Sequence, residues 1–473
     1  MVFSSAVFLF AFLPVTFLLS RLCRSLRAQN ALLALMSLVF YAFGQLRYVP
    51  LFLCSVLLNF LAGAWLRSPR PHRKGALVLA VVLNLGLLGV FKYTDFILST
   101  LNLFLPAPLP LTGIVLPIGI SFFTFQGMSY VIDVYRRPEE GTGDFFKLLL
   151  YIAFFPQLIA GPIVKYHQIA PQIDARAASA ADVEAGGKRF VRGLGKKLLL
   201  ADTAALIADR VYGPVLHGLS PDGRLLWLGV VCYSLQIYFD FSGYSDMAVG
   251  MGCMFGFTIP ENFRFPYGAD SLREFWRRWH ISLSSWFREY LYIPLGGNRR
   301  GRLRTAANKL IVFLCTGIWH GANWTFLLWG LGHGLLTGLE DLLGLERLRR
   351  TAWGRLLGRA YTLLAVVLLF ALFRADSLAD AALLFRGLFT AGATAEGRFL
   401  LASLSAPQTV FLLVLSVFLA GNTVPQLRAR YGETLAASPL WRQLSRVGSL
   451  LLLLLCIMSL ARGGFHPFIY FQF

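Results

Sequence analysis

Long apolar runs alternate with short polar breaks along almost the whole chain, and the runs have the length of membrane spans. They lie at 2–20, 31–46, 50–66, 75–98, 147–165, 357–373, 405–422 and 446–461. Crossing a hydrocarbon core about 30 Å thick takes roughly 20 predominantly apolar residues in a helix. The pattern therefore predicts an all-α integral membrane protein, a polytopic helix bundle. The first run starts at Val2 without a basic stretch before it, and Arg21, Arg24 and Arg27 follow it. It reads as a retained anchor rather than a cleaved signal.

Polarity is unevenly spread. Residues 1–98 and 345–473 read as plain spans, whereas the apolar sequence of 113–342 is repeatedly broken by Gly, Pro, His, Asp and Asn. We expect one polytopic domain over 1–473 with its chemistry in that middle region. Two segments within it read as interfacial helices. In 188–202, Lys188, Arg192 and Lys196 recur on one face and Phe190, Leu194 and Leu198 on another, the pattern of a basic amphipathic helix on a membrane surface. In 271–290, Ser271 and Glu274 form a capping box. Phe275, Trp279, Leu283, Trp286 and Tyr290 then share a face at helical spacing.

Composition agrees with the pattern. Of 473 residues, 56% are hydrophobic and 14% charged, against about 25% charged in a soluble domain. The net charge of +20 raises the question of nucleic acid, but the cations fall in alternate loops: Arg21, Arg24 and Arg27, then Arg67, Arg70, Arg73 and Lys74, while 99–112 holds no charge. Basic loops stay cytoplasmic. The charge is a topology signal, it predicts an external N-terminus, and the expected surroundings are membrane lipid rather than nucleic acid. The cysteines, Cys23, Cys54, Cys232, Cys253, Cys315 and Cys456, show no CxxC spacing and read as small apolar residues.

An ionisable residue inside a span costs roughly 2.5–3.5 kcal/mol on the insertion scale, so each needs a reason. Asp240 and Asp246 lie in the run 225–257, which is longer than one span and predicts a break or tilt near Gly243. The bland reading is that Asp240 caps a second half-helix or pairs with an arginine. In 312–334, His320 sits amid apolar sequence, with Gly317, Gly321 and Gly330 for close approach, Asn323 as donor and acceptor, and Trp319 and Trp324 to wall a cavity. Here we favour function over packing. His333 is the next candidate, and His167, after Gly161-Pro162, is placed at a cytoplasmic mouth; His72, His217 and His466 look unremarkable. No HxxxH, HExxH or Cys/His cluster points to a metal, and no GxSxG or P-loop is present. Imidazoles in a low-dielectric site suit acyl transfer from a thioester to a hydroxyl, where the attacking oxygen loses a proton and an oxyanion needs donors.

Several ordered blocks carry a family resemblance: LPIGISFFTFQGMSYVIDVYR (116–136), FFPQLIAGPIVKY (154–166), DFSGYSDMAVGMG (240–252), ENFRFPY (261–267), EFWRRWHISLSSWFREYLYIPLGGNR (274–299) and GIWHGANWTFLLWGLGHG (317–334). Through them residues 1–340 closely resemble the membrane-bound O-acyltransferase (MBOAT) family, in particular its bacterial, AlgI-like branch of alginate O-acetylation. The resemblance implies a ring of tilted helices around a central funnel. It makes His320 the intramembrane catalytic histidine and His280 the second polar position.

On that footing the expected catalytic set is His320, His280 and Asn323: His320 as base, His280 and Asn323 orienting the carbonyl or stabilising the oxyanion. The expected substrate-binding set is Trp276, Trp319, Trp324, Asp240, Ser242, His333, Arg277 and Lys165, with no metal. Lys196, Lys197 and the arginines of 273–288 join Lys165 at the donor's mouth. No cofactor is expected to be bound; acetyl-CoA or an acyl-carrier thioester is the donor substrate. The implied partners are extracytoplasmic acetyltransferase-like proteins and a polysaccharide acceptor, and the implied location is the bacterial inner membrane. D-alanyl or peptidoglycan transfer by the same chemistry stays open. So does a transporter of an acyl carrier or lipid, although no repeated halves of the kind transporters show are visible, and so does a scaffold that recruits a secreted acetyltransferase.

Overall fold

Buried backbone in hydrocarbon must satisfy its own hydrogen bonds, which helices do within one segment, and the chain folds accordingly. The structure, a computed structural model, describes residues 1–69, 71–217, 222–463 and 468–469, and among these it is helical with no strand. Arg70 and His466 lie outside the described residues. Five helices among them are long and apolar enough to cross a membrane, or six if Ala395–Leu404 and Pro407–Ala420, bent by 81°, count as one broken span. Helix Pro439–Ala461 has only 6% of its apolar window buried, whereas Gly223–Met254 has 78%. The first presents leucines such as Leu450 and Leu454 outward, as a lipid-facing helix must. The second is an interior helix.

The chain divides into two compact units: Met1–Phe190 with Ser245–Glu261, and Val191–Tyr244 with Asn262–Phe473. These boundaries do not coincide with the expected 1–98, 113–342 and 345–473 segments. The first unit contains Leu26–Gln45, Val49–Arg67, Arg73–Asn102 and Ile120–Arg136. Phe8, Phe12, Phe40 and Phe155 form one aromatic cluster there. Asn59 and Asn84, both buried, exchange side-chain hydrogen bonds at 3.2 and 2.9 Å. Arg189 clamps Asp246 and Glu261. Burial pulls its guanidinium down, but the two carboxylates outweigh that and hold it above its ordinary value. Asp246 is thus the anchor of a surface ion-pair network.

Several expected spans take another form. The run 2–20 yields a helix of Phe8–Leu22. The run 147–165 is not one helix: Phe145–Ala153 ends at Phe154, Phe155–Leu158 adds one turn, and the chain is then irregular. Pro156 and Gly161-Pro162 withhold the donors and geometry a helix needs. Runs 31–46 and 50–66 are joined by a single 3-10 turn, Leu46–Tyr48.

The second unit holds the middle-region chemistry. Gly223–Met254 is continuous through Gly243, so of the expected break or tilt the break does not occur. Gly243 instead admits a neighbouring backbone: a Cβ there would lie 2.7 Å from the Gly193 carbonyl oxygen. The segment 271–290 is not one helix either. Leu272–Arg278 starts on the expected Ser271 cap, whose Oγ accepts the Glu274 N–H at 2.9 Å. The chain then breaks at His280, and Ile281–Phe287 resumes. The amphipathic helix at 188–202 extends as Ala180–Gly195 followed by a π-helical turn, Lys196–Ala201, and Phe190, Leu194 and Leu198 are buried within the protein rather than laid on a membrane surface.

Candidate active site

Gly301–His320 and Trp324–Leu343 form a tight helical hairpin. Its closeness comes from glycine. A Cβ on Gly317 would sit 2.3 Å from the Phe326 carbonyl oxygen, and one on Gly330 2.4 Å from that of Phe313. Residues 321–323 make the bend, so His320 is the last residue of the first helix, 3% exposed. Aromatic rings wall it: Trp319 at 5.0 Å between centroids, Trp329 at 5.1 Å and Phe373 at 5.3 Å.

Asn323 is committed to this bend. Its Oδ1 accepts the Thr325 N–H at 3.1 Å as the helix cap, and its Nδ2 donates to the Asp376 carbonyl at 2.8 Å. These two bonds use one of its amide N–H groups and its oxygen and fix its side chain in the bend. Trp324 is 41% exposed rather than buried in a wall. Trp329 and Phe373, which were not singled out in the sequence, occupy the position expected of it.

His280 is fully buried and has φ 44° and ψ 55°, the left-handed region. A non-glycine residue there carries a steric cost of about 1–2 kcal/mol, and such strain clusters at functional sites. The conformation turns the chain so that the ring meets Asn262, a residue sequence reading passed over inside the ENFRFPY block. Oδ1 of Asn262 accepts from the Ser282 backbone N–H at 3.1 Å and the Ser282 hydroxyl at 2.9 Å, and lies 3.2 Å from Nδ1 of His280. Since the backbone N–H only donates, that atom is the amide oxygen, and His280 must carry its proton on Nδ1. Its Nε2 then presents a lone pair. Trp319 links the two sites, its ring 6.1 Å from His280 and 5.0 Å from His320.

His333, also fully buried, lies behind Trp329 with ring centroids 4.9 Å apart. Trp276 donates its indole N–H to Nδ1 of His333 at 3.2 Å. Trp276 is presented by Leu272–Arg278, whose start is tied to the hairpin by Glu340: the buried carboxylate accepts the Leu272 and Arg273 N–H groups at 2.8 and 3.3 Å. A buried acid at a helix N-terminus needs such donors, and only tertiary contact reveals Glu340.

Asp240 and Lys197, 2% and 4% exposed, pair at 3.0 Å, and Lys197 also meets Asp202 at 2.8 Å. The second oxygen of Asp240 accepts the Ile469 N–H at 2.7 Å. Asp240 therefore follows the ion-pair reading, with a lysine as its partner, and Lys197 is buried in that pair rather than lining an open mouth. Ser242 is buried on the same helix. The Arg277 side chain is 63% exposed and pairs with Glu274 at 3.5 Å. Lys165 is buried in the first unit, where its backbone N–H donates to Gln168. His167 belongs to that unit as well: its Nδ1 is 3.5 Å from Asp133, and with Glu140 these residues bring possible ligand atoms within 4.8 Å of one another. The Arg137–Glu140 and His167–Asp133 pairs make this an ion-pair cluster. All six cysteines are free thiols.

Apolar helices long enough to span a bilayer define a polytopic membrane protein, and a buried histidine at a helix end, walled by tryptophans, is its candidate site. The family model described as MBOAT, membrane-bound O-acyltransferase family, matches residues 136–379, just over half of the chain. The chain belongs to the MBOAT family and is a membrane acyltransferase, which sets aside the transporter and scaffold readings. It is 38% identical to a probable alginate O-acetylase AlgI of Pseudomonas putida, with 100% of both chains covered. It is 39% identical to a peptidoglycan O-acetyltransferase of Helicobacter pylori over 71% of this chain and 69% of that one. With a teichoic acid D-alanyltransferase of Bacillus subtilis it shares 28% identity over 46% of this chain and 57% of the relative.

Proposed function

We propose that this acyltransferase O-acetylates an extracytoplasmic polysaccharide of the alginate type, taking acetyl from a cytoplasmic thioester such as acetyl-CoA or an acyl carrier, with His320 as general base. The observation that carries the reading is the burial of His320 at a helix end, with His280 and His333 within the same aromatic wall. The full-length likeness to an alginate O-acetylase supports the acceptor. In the step, the acceptor oxygen bonds to the thioester carbonyl carbon while its proton passes to His320. The tetrahedral oxyanion then collapses, the C–S bond breaks, and the thiolate leaves with the proton held by the imidazolium. His280, with its Nε2 lone pair, accepts from a neighbouring hydroxyl of the acceptor and so orients it, leaving the single proton of the attacking hydroxyl to His320. Extracytoplasmic partner proteins complete delivery to the polymer, and the protein resides in the bacterial inner membrane.

The test is transfer from radiolabelled acetyl-CoA in membranes bearing the wild-type chain or His320→Ala, with purified alginate and purified peptidoglycan supplied separately and the partner proteins co-expressed. Label reaching alginate only when His320 is present supports the reading. Label reaching peptidoglycan instead replaces the acceptor, and equal label from both chains removes His320 from the chemistry.

A further inference from the structure

Two buried N–H donors, the first against the proposed base and the second one helical turn beyond it, have no protein acceptor among the described residues. They are Nε1 of Trp329 and Nε2 of His333, on residues 1% and 0% exposed. The His333 assignment follows from geometry. An indole nitrogen is a donor only, so the bond from Trp276 Nε1 at 3.2 Å occupies a lone pair on Nδ1 of His333. A doubly protonated ring has no such lone pair, and a neutral ring accepting at Nδ1 carries its proton on Nε2. His333 is thus a fixed donor. His280, whose Nδ1 proton is taken by Asn262, is the opposite tautomer.

Position makes the pair informative. Trp329 and His333 are one helical turn apart on Trp324–Leu343 and so share a face. The Trp329 ring lies 5.1 Å from that of His320 and 4.9 Å from that of His333. More than nine in ten buried polar groups in proteins are paired, and each exception calls for an explanation. Two such donors one turn apart on one face, Trp329 against the base and His333 next beyond it, suit an oxygen-bearing ligand. The donors expected for the oxyanion differ from this pair: neutral His280 offers a lone pair at Nε2, and Asn323 directs one amide N–H to Asp376 while its oxygen caps the helix.

Resting on the acyl-transfer reading of this site, we propose that Trp329 and His333 donate the two hydrogen bonds that receive the acyl carbonyl oxygen and hold the oxyanion, with Trp276 as the positioning residue that fixes the His333 tautomer. As the acceptor oxygen adds to the carbonyl carbon, the carbonyl π pair moves onto this oxygen and is held by the two N–H groups; it returns to the carbon as the C–S bond breaks.

The test compares acetyl transfer from acetyl-CoA by the full chain and by Trp329→Phe, which keeps a ring and loses the N–H. His333→Phe and His333→Gln are measured alongside, the second keeping an N–H on a shorter arm. Losing one such donor costs about 10²–10³-fold in kcat, and because the bond strengthens in the transition state KM changes little. Trp329→Phe and His333→Phe are expected to show that loss with near-normal KM, and His333→Gln to recover part of it. In an inactive His320→Ala background, the infrared stretch of 13C-carbonyl-labelled acetyl-CoA is expected to rise on adding Trp329→Phe and to stay put on adding Trp353→Phe at an exposed position. Normal kcat and an unmoved stretch in monodisperse Trp329→Phe and His333→Phe, with His320→Ala inactive, overturn the donor pair and leave the acyl-transfer reading standing. Full activity of His320→Ala overturns that reading itself.

Discussion

Nδ1 of His280 donates to Oδ1 of Asn262 at 3.2 Å, and this single bond decides which nitrogen of His280 faces the chemistry. The same amide oxygen ties down Ser282 through its N–H and hydroxyl, so tautomer and backbone turn are held together.

Replacing Asn262 by Ala removes the acceptor while leaving His280 in place. Where an imidazole is a metal ligand, removing the partner that orients it costs roughly 10–100-fold in activity, and Asn262 has the same orienting position toward His280. We expect a loss of that size in acetyl transfer, with protein levels in the membrane close to wild type. Unchanged transfer would show that the tautomer of His280 is immaterial.

The left-handed backbone of His280 separates the ring from the fold. Glycine adopts φ 44° without the Cβ penalty, so His280→Gly is expected to be more thermostable in detergent than His280→Ala, by about 1 kcal/mol. Both variants lose activity. Equal melting in detergent would remove the argument for strain.

Lys197 neutralises Asp240 and Asp202 inside the second unit. Removing one partner of a buried ion pair destabilises by about 3–5 kcal/mol because the other charge stays buried. Lys197→Met is expected to melt well below wild type by fluorescence-detected size exclusion, and the triple change Lys197→Met, Asp202→Asn, Asp240→Asn to regain much of the loss. A triple variant no better than Lys197→Met would mean that the carboxylates are not what the lysine compensates.

Gly317→Ala places a methyl against the Phe326 carbonyl at 2.3 Å, backbone that cannot move aside without parting the hairpin one turn from His320. We expect loss of both activity and thermal stability. Gly338→Ala, on the same hairpin with its nearest contact at an ordinary 3.4 Å from Ala306, serves as control and is expected to be neutral or stabilising by up to about 1 kcal/mol. Equal behaviour of the two would dismiss the close helix approach as a requirement.

Hydropathy alone established that this chain is helical and membrane-embedded, and the isolation of His320 in apolar sequence marked it before any coordinates. Those properties are local: a run of apolar residues pays its backbone hydrogen bonds internally, and one imidazole in such a run is conspicuous by itself. Helix breaks were less legible. Gly243, where a break or tilt was expected, instead lets a neighbouring backbone in, while the segment 271–290, expected as one helix, is interrupted at His280, whose ring and following turn are held by Asn262. Roles were decided by tertiary structure alone. Which nitrogen of a histidine carries the proton depends on what the other nitrogen touches, and for His280 and His333 those partners, Asn262 and Trp276, lie 18 and 57 residues away in sequence. Asn323 and Trp324 looked as promising as Trp329 because residue type and spacing say nothing of whether a side chain caps a helix, faces outward or meets the base.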